Sequence, residues 1–181
     1  RNTVFASKDL AVLWDISNYD YLKTRIQYYI KQGYLHRVCH GLYAKEKGSF
    51  DPLEVGNKLR TPSYVSFETV LSAEGIVFQS YSSVFLASNF TKTIKNTAGE
   101  FVYRKLKEEI LFCQEGLIST GPYCVASKER AFLDAVYLYR NYHFDNLRPL
   151  DWKKIDQLAS LYQSKILLTR IKEYKADADT R

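Results

Sequence analysis

Methionine is missing from this chain, cysteine and histidine occur three times each, and no apolar run is long. No stretch approaches the ~18 apolar residues of a membrane-spanning helix, and no apolar leader core follows the N-terminus. The expected location is therefore the cytoplasm, with no membrane partner. Cys39, Cys113 and Cys124 are odd in number and lack a CxxC spacing. That argues against a disulfide framework and for reduced thiols. Arg1 stands where an initiator would, so the chain reads as trimmed or processed. There is no internal repeat and no low-complexity block.

What is present is an ordinary globular composition, 46% hydrophobic and 25% charged over 181 residues, enough for one or two small domains. The net charge of +6 is unevenly spread. Residues 1–50 hold eight Lys/Arg against four Asp/Glu, leaving 18 against 16 for the remainder. A compact positive segment suits a polyanionic partner.

The spacing of apolar residues predicts a short helix from Ser7, its cap, to Trp14. A turn at 15–18 follows, with Ser17 or Asn18 capping a second helix that buries Leu22, Ile26, Tyr29 and Ile30. Gly33 ends that helix. Leu35–Val38 and Leu42–Ala44 read as strands across a Cys39-His40-Gly41 turn. Two helices and a basic hairpin are the layout of a winged helix-turn-helix over residues 1–47, probing duplex DNA. Lys45–Ser49 reads as a linker.

Residues 48–181 then read as a larger mixed α+β domain with a helical C-terminus. Helices are expected at Pro52–Leu59 after Asp51, at Ser66–Glu74 in the segment opened by Pro62-Ser63, with Ser66 as its cap and Gly75 as its end, and from Lys128 to Asn141 after Ser127. One or two more are expected between Asp151 and Lys175, with Leu158, Leu161, Leu167 and Ile171 inward. The helix after Ser127 is expected to bury Ala131, Phe132, Ala135, Val136 and Leu138 or Tyr139. Strands are expected at Ile76–Phe78, Ser83–Ala87, Thr91–Asn96, Glu100–Lys107, Leu111–Phe112, Gly116–Ile118 and Cys124–Ala126. The overall fold class is thus α+β.

On the second helix a 100° turn per residue sets Asp20, Thr24, Gln27 and Lys31 opposite Leu22, flanked by Lys23 and Tyr28. Gln suits an adenine edge and Lys a guanine edge or phosphate. Arg37, His40, Lys45 and Lys47 place cations along the hairpin, where phosphate contacts fall. A plain solvated helix face is the competing interpretation, and the adjoining cations weigh against it. His36, Cys39 and His40 are potential zinc ligands, but an HxxCH spacing on a strand and turn aims adjacent residues apart, so no metal is expected. Beyond the hairpin the only histidine is His143, between Tyr142 and Phe144. There is no P-loop and no nucleophile elbow, and Ser127-Lys128 reads as a helix cap, so neither catalysis nor a cofactor is expected. Glu68 reads as support for the start of its helix. Lys92, Lys95, Arg104, Lys105 and Lys107 form a second basic cluster on one hairpin, either a solvated sheet face or a second contact surface.

The hairpin ending in Gly41-Leu42-Tyr43, followed by Pro62-Ser63-Tyr64-Val65-Ser66-Phe67-Glu68-Thr69-Val70-Leu71, resembles the AbiEi family of antitoxins. Phe101-Val102-Tyr103-Arg104 with Lys107, and Ala126-Ser127-Lys128-Glu129-Arg130-Ala131-Phe132-Leu133-Asp134, agree in the same order. That family belongs to bacterial type IV toxin–antitoxin systems, including phage abortive-infection loci. The resemblance implies a winged helix that binds inverted repeats in the operon promoter, as a possible homodimer, and represses transcription. It implies a second domain that neutralises a nucleotidyltransferase-like toxin without a necessary stable complex. Thr24, Gln27, Lys31 and Arg37 are carried over as DNA contacts. Lys92, Arg104, Lys105 and Lys107 are assigned to antitoxicity from charge. The first helix of a full winged helix, before Val4-Phe5, is expected to be lacking. The alternative is a winged-helix regulator whose second domain binds a ligand or partner, with no toxin.

Overall fold

Alternation in Val4-Phe5-Ala6 and Leu42-Tyr43-Ala44 decides how the N-terminal residues assemble. In the computed structural model, which describes residues 2–180, three strands pair antiparallel with β3 central: β1 (Val4–Ala6), β2 (His36–Cys39) and β3 (Leu42–Ala44). Successive strand residues point to opposite faces. Phe5 and Tyr43 pack on one face with α1 (Ser7–Leu13) and α2 (Tyr19–Lys31), around Leu10, Leu22, Ile26 and Leu35. Val4, Ala6, Leu42 and Ala44 face the other way and join the main core with Val55, Leu86 and Phe101. Apolar packing is therefore continuous across residue 47.

A charged latch reinforces that junction. Asp51 caps α3 (Pro52–Leu59), its Oδ1 accepting from the Leu53 amide at 2.8 Å, with Pro52 in the first turn. Helical spacing then puts Glu54 and Lys58 on one side of α3. Glu54 Oε2 accepts from the Thr3 hydroxyl at 2.6 Å and the Thr3 amide at 2.8 Å. Lys58 Nζ lies 3.0 Å from Glu54 Oε1 and 3.4 Å from Asp9 Oδ2, and it donates to the Val4 carbonyl. Burial pushes the Glu54 carboxyl up, but the two Thr3 donors and Lys58 outweigh it and hold the group below its usual value.

The second sheet has six strands, numbered on from the first: β4 (Ser63–Val65), β5 (Ser83–Ser88), β6 (Lys92–Asn96), β7 (Gly99–Lys105), β8 (Leu117–Ser119) and β9 (Cys124–Ala126). Their order is β6-β7-β5-β4-β9-β8, with β5–β7 and β4–β9 parallel and the other pairs antiparallel. Register places Val84, Leu86, Phe101 and Tyr103 on the face covered by α3, where the Tyr103 hydroxyl donates to the Gly56 carbonyl at 2.7 Å. Tyr64, Phe85, Ala87, Val102 and Arg104 lie on the opposite face. That face packs against α4 (Phe67–Ala73) and α6 (Lys128–Leu138). The remaining helices are α5 (Glu108–Leu111), α7 (Trp152–Ala159) and α8 (Lys165–Thr180), with a 3-10 turn at Ser160–Tyr162. No helix is long and apolar enough to cross a membrane among the described residues.

Several expected elements differ. Ser7 is the first residue of α1 rather than its cap; Asp9 Oδ2 instead accepts from the Ala6 amide at 2.9 Å, and the helix stops at Leu13. Pro62-Ser63 opens the central strand β4 and not a helix, because Tyr64 and Val65 each bury a side chain on opposite faces of the sheet. Ile76–Phe78 is no strand: the Ile76 and Val77 amides both bond the Leu71 carbonyl, closing the end of α4. Leu111 ends α5, and Phe112 follows it as the helix C-cap, with its amide on the Glu108 carbonyl. Helix α6 stops at Leu138, with Leu138 and Tyr139 half-buried. On the tail, Leu167 and Ile171 are buried, whereas Leu158 and Leu161 are only half-buried.

Candidate nucleic-acid interface

Helix α2 starts where expected. Asn18 Oδ1 accepts from the Tyr21 amide at 2.9 Å, Asp20 sits in the first turn and Lys31 in the last, each complementing the helix dipole. Leu22 and Ile26 anchor it to the sheet. Gly33, at φ +76°, turns the chain back so that the Tyr34 and Leu35 amides both reach the Tyr29 carbonyl. Strand β2 follows directly, bulged between Arg37 and Cys39. Gly41, also at φ +76°, closes the hairpin turn, and its carbonyl accepts from the Ser7 amide at 3.0 Å. The hairpin is thereby tied to the start of α1.

Between α2 and this hairpin lies a cleft of about 260 Å³, lined by Ser7, Tyr19, Leu22, Lys23, Ile26, Gln27, Arg37, His40, Gly41 and Tyr43. Four of the residues singled out from sequence thus converge: Lys23 and Gln27 from the helix, Arg37 and His40 from the hairpin. Among the described residues no carboxylate lines the cleft. Lys23 Nζ sits 4.4 Å from the centre of the Tyr19 ring, which holds the ammonium at the rim. An ammonium, a guanidinium, an imidazole and an amide around one groove provide donors for phosphate oxygens. The Gln27 amide both donates and accepts, as a base edge requires.

The others fall elsewhere. Thr24 is exposed, but its hydroxyl donates to the Asp20 carbonyl at 3.0 Å, back along its own helix. Tyr28 and Lys31 are exposed on α2 outside the cleft. Lys45 lies outside the cleft, beside Phe5 and Trp14. Of the second cluster, Lys95 pairs with Glu100 at 3.2 Å across β6 and β7. Arg104 turns inward, its Nε donating to the Tyr139 hydroxyl at 3.3 Å. Lys92, Lys105 and Lys107 are exposed. Burial pushes the Cys39 thiol up, and the thiol faces the main core while His40 faces the cleft.

The stretches that carried the family resemblance meet in the interior. Asp134 Oδ2 accepts from the Ser66 hydroxyl at 2.7 Å and the Tyr64 hydroxyl at 3.0 Å; Oδ1 accepts from Tyr162 at 2.6 Å. Arg130 Nε lies 3.5 Å from Asp134, and the guanidinium donates to the carbonyls of Glu115 and Ile110, each at 2.6 Å. All five side chains are buried. Burial pushes the Asp134 carboxyl up, opposed by Arg130 and the three hydroxyls. Ser66 precedes α4 as expected but points its hydroxyl into this network instead of capping the helix. Phe67, at φ +53°, makes the sharp turn between the two, so that Glu68 emerges on another side. Glu68 is 6% exposed and meets Arg104, Tyr139 and Tyr142, more than a support for its helix start; burial raises its pKa. Ser127 caps α6 as expected, accepting from the Arg130 amide at 3.2 Å.

Compared with known proteins, the chain matches no family model and no curated sequence. The cleft's geometry and the sequence motifs therefore carry the functional reading.

Proposed function

We propose that this protein is a duplex-DNA-binding repressor of the antitoxin type, its N-terminal residues acting as a winged helix. The convergence of Lys23, Gln27, Arg37 and His40 on one acid-free cleft is the observation that supports it most. In this reading α2 enters the major groove with Gln27 on a base edge, while Lys23 at the rim and Arg37 and His40 from the hairpin take backbone phosphates. The remaining residues oppose a nucleotidyltransferase-like toxin, as the AbiEi resemblance implies, and no catalytic step or cofactor is assigned to this chain. Repression of an inverted-repeat promoter by a homodimer follows from the same resemblance.

The buried motif residues redirect the search for antitoxic contacts. Tyr64, Ser66, Arg130 and Asp134 are inside, so a toxin-opposing surface must use exposed groups, of which Lys92, Lys105 and Lys107 remain. The test uses the full chain. Gln27→Ala with Arg37→Ala should abolish promoter binding while co-expression still rescues growth from the neighbouring toxin gene. Retained promoter binding would overturn the assignment of the cleft, and loss of rescue would overturn the separation of the two activities.

A further inference from the structure

A second cavity lies across the small sheet's helical layer from the cleft. About 440 Å³ is enclosed by Leu10 and Leu35 at the floor, Phe5, Trp14 and Tyr29 as walls, and Leu13 and Tyr34 at the rim. That volume falls within the ~300–1,000 Å³ typical of small-molecule sites, which are apolar with few polar groups. The Trp14 and Tyr29 rings stack at 5.1 Å with an interplanar angle of 23°, and Tyr34 meets Tyr29 edge-on at 6.1 Å. Leu13 and Tyr34 are each 66% exposed, so the mouth is open. The stacked pair forms one aromatic wall and Phe5 another, a shape that suits a flat apolar body laid against them.

Charge selects among flat molecules. Among the described residues Lys45 is the sole charged lining residue, and it has no ion pair. The Arg25 guanidinium lies 5.7 Å from the Trp14 ring and 5.9 Å from the Tyr29 ring, adding a second cation beside the same walls. No Asp or Glu among the described residues lines the cavity. We infer that this cavity is a binding site for a small planar aromatic acid, its ring system between Phe5, Trp14 and Tyr29 and its carboxylate at Lys45. The site is independent of the DNA reading, because it uses the side of α2 that bears Tyr29 and not the side that bears Lys23 and Gln27.

The test is a titration of the full chain with 2-naphthoate, followed by the two tryptophan indole N–H signals in the NMR spectrum. The Trp14 signal, assigned with Trp14→Phe, should shift saturably while that of Trp152 stays still. Lys45→Gln, at an exposed rim position, should weaken binding about fivefold, as expected for one solvent-facing ion pair. Leu13→Glu, equally exposed, should abolish it, and 2-naphthylmethylammonium should bind at least about tenfold more weakly than 2-naphthoate. No saturable shift up to the solubility limit, or equal binding of the ammonium compound, would overturn the inference. So would concentration-dependent dimerisation that shifts Trp14 without ligand, since the cavity would then be covered by a second copy.

Discussion

Replacing Asp134 tests whether the stretches that carry the family resemblance are structural. The carboxylate satisfies three buried hydroxyls and faces a fully buried guanidinium. Asp134→Ala leaves the Arg130 charge uncompensated, which costs about 3–5 kcal/mol. It also strips an acceptor from Ser66, Tyr64 and Tyr162, at about 1 kcal/mol each where no new partner is found. Against a typical total of ~5–15 kcal/mol, that is enough to leave much of the chain unfolded. Tyr162→Phe removes only one of the three donors, so a loss of about 2 kcal/mol, or roughly 4–8 °C in Tm for a chain of this size, is expected. The double substitution Arg130→Met with Asp134→Leu removes both charges together and should be less destabilising than Asp134→Ala alone. Urea unfolding at neutral pH, compared at constant m, measures all three. A stable Asp134→Ala protein that has lost promoter binding or toxin neutralisation would refute the reasoning, because the network would then serve function directly.

Glu54→Gln should lower stability by roughly 2–3 kcal/mol at pH 7, since Lys58 loses its nearer carboxylate and keeps only Asp9 at the junction. Because the folded state holds the Glu54 carboxyl below its ordinary value of 4.5, its contribution is fully present above that pH and is lost as pH falls through the folded value. The Tm difference between wild type and variant should therefore shrink below pH 4.5; a difference that persists in acid would rule out the ionic latch. Gly56→Ala gains helix propensity of about 1 kcal/mol. However, its Cβ would lie 2.9 Å from Phe101 Cδ1 and 3.2 Å from Leu86. With Phe101 unable to retreat from the core, a net loss of about 1–2 kcal/mol is expected by thermal melting, and a raised Tm would show that the sheet yields.

The elements with strong local signals were legible in the sequence. Asn18, Asp51 and Ser127 cap the helices that follow them, and the 3.6-residue stripe of α2 buries Leu22 and Ile26, although Tyr29 and Ile30 at its C-terminal end are only half-buried. The hairpin pairing Lys92–Asn96 with Gly99–Lys105 also follows its alternation. What local pattern could not convey is partnership at long range. Ser63-Tyr64-Val65 is too short to alternate visibly, and only pairing with β5 and β9 makes it a central strand. Ser66 looked like a helix cap because caps favour serine; its hydroxyl instead answers a carboxylate 68 positions away. Position along α2 did predict which residues face outward. Whether an outward residue lines the cleft depends on where the hairpin folds back, so Gln27 joins Arg37 while Thr24 and Lys31 do not. Lys45 belongs to the same polar run as Lys47 in sequence, yet it borders a cavity that no spacing rule announces.

The central claim is that the cleft between α2 and the hairpin holds the DNA backbone. Its most direct test is the salt dependence of duplex affinity for the full chain. Each phosphate contact contributes about −0.9 to the slope of log K against log salt concentration. Lys23→Ala with Arg37→Ala should therefore make the slope shallower by about 2, while Lys92→Ala with Lys105→Ala should leave it unchanged. An unaltered slope in the first pair, or a shallower one in the second, would contradict the account.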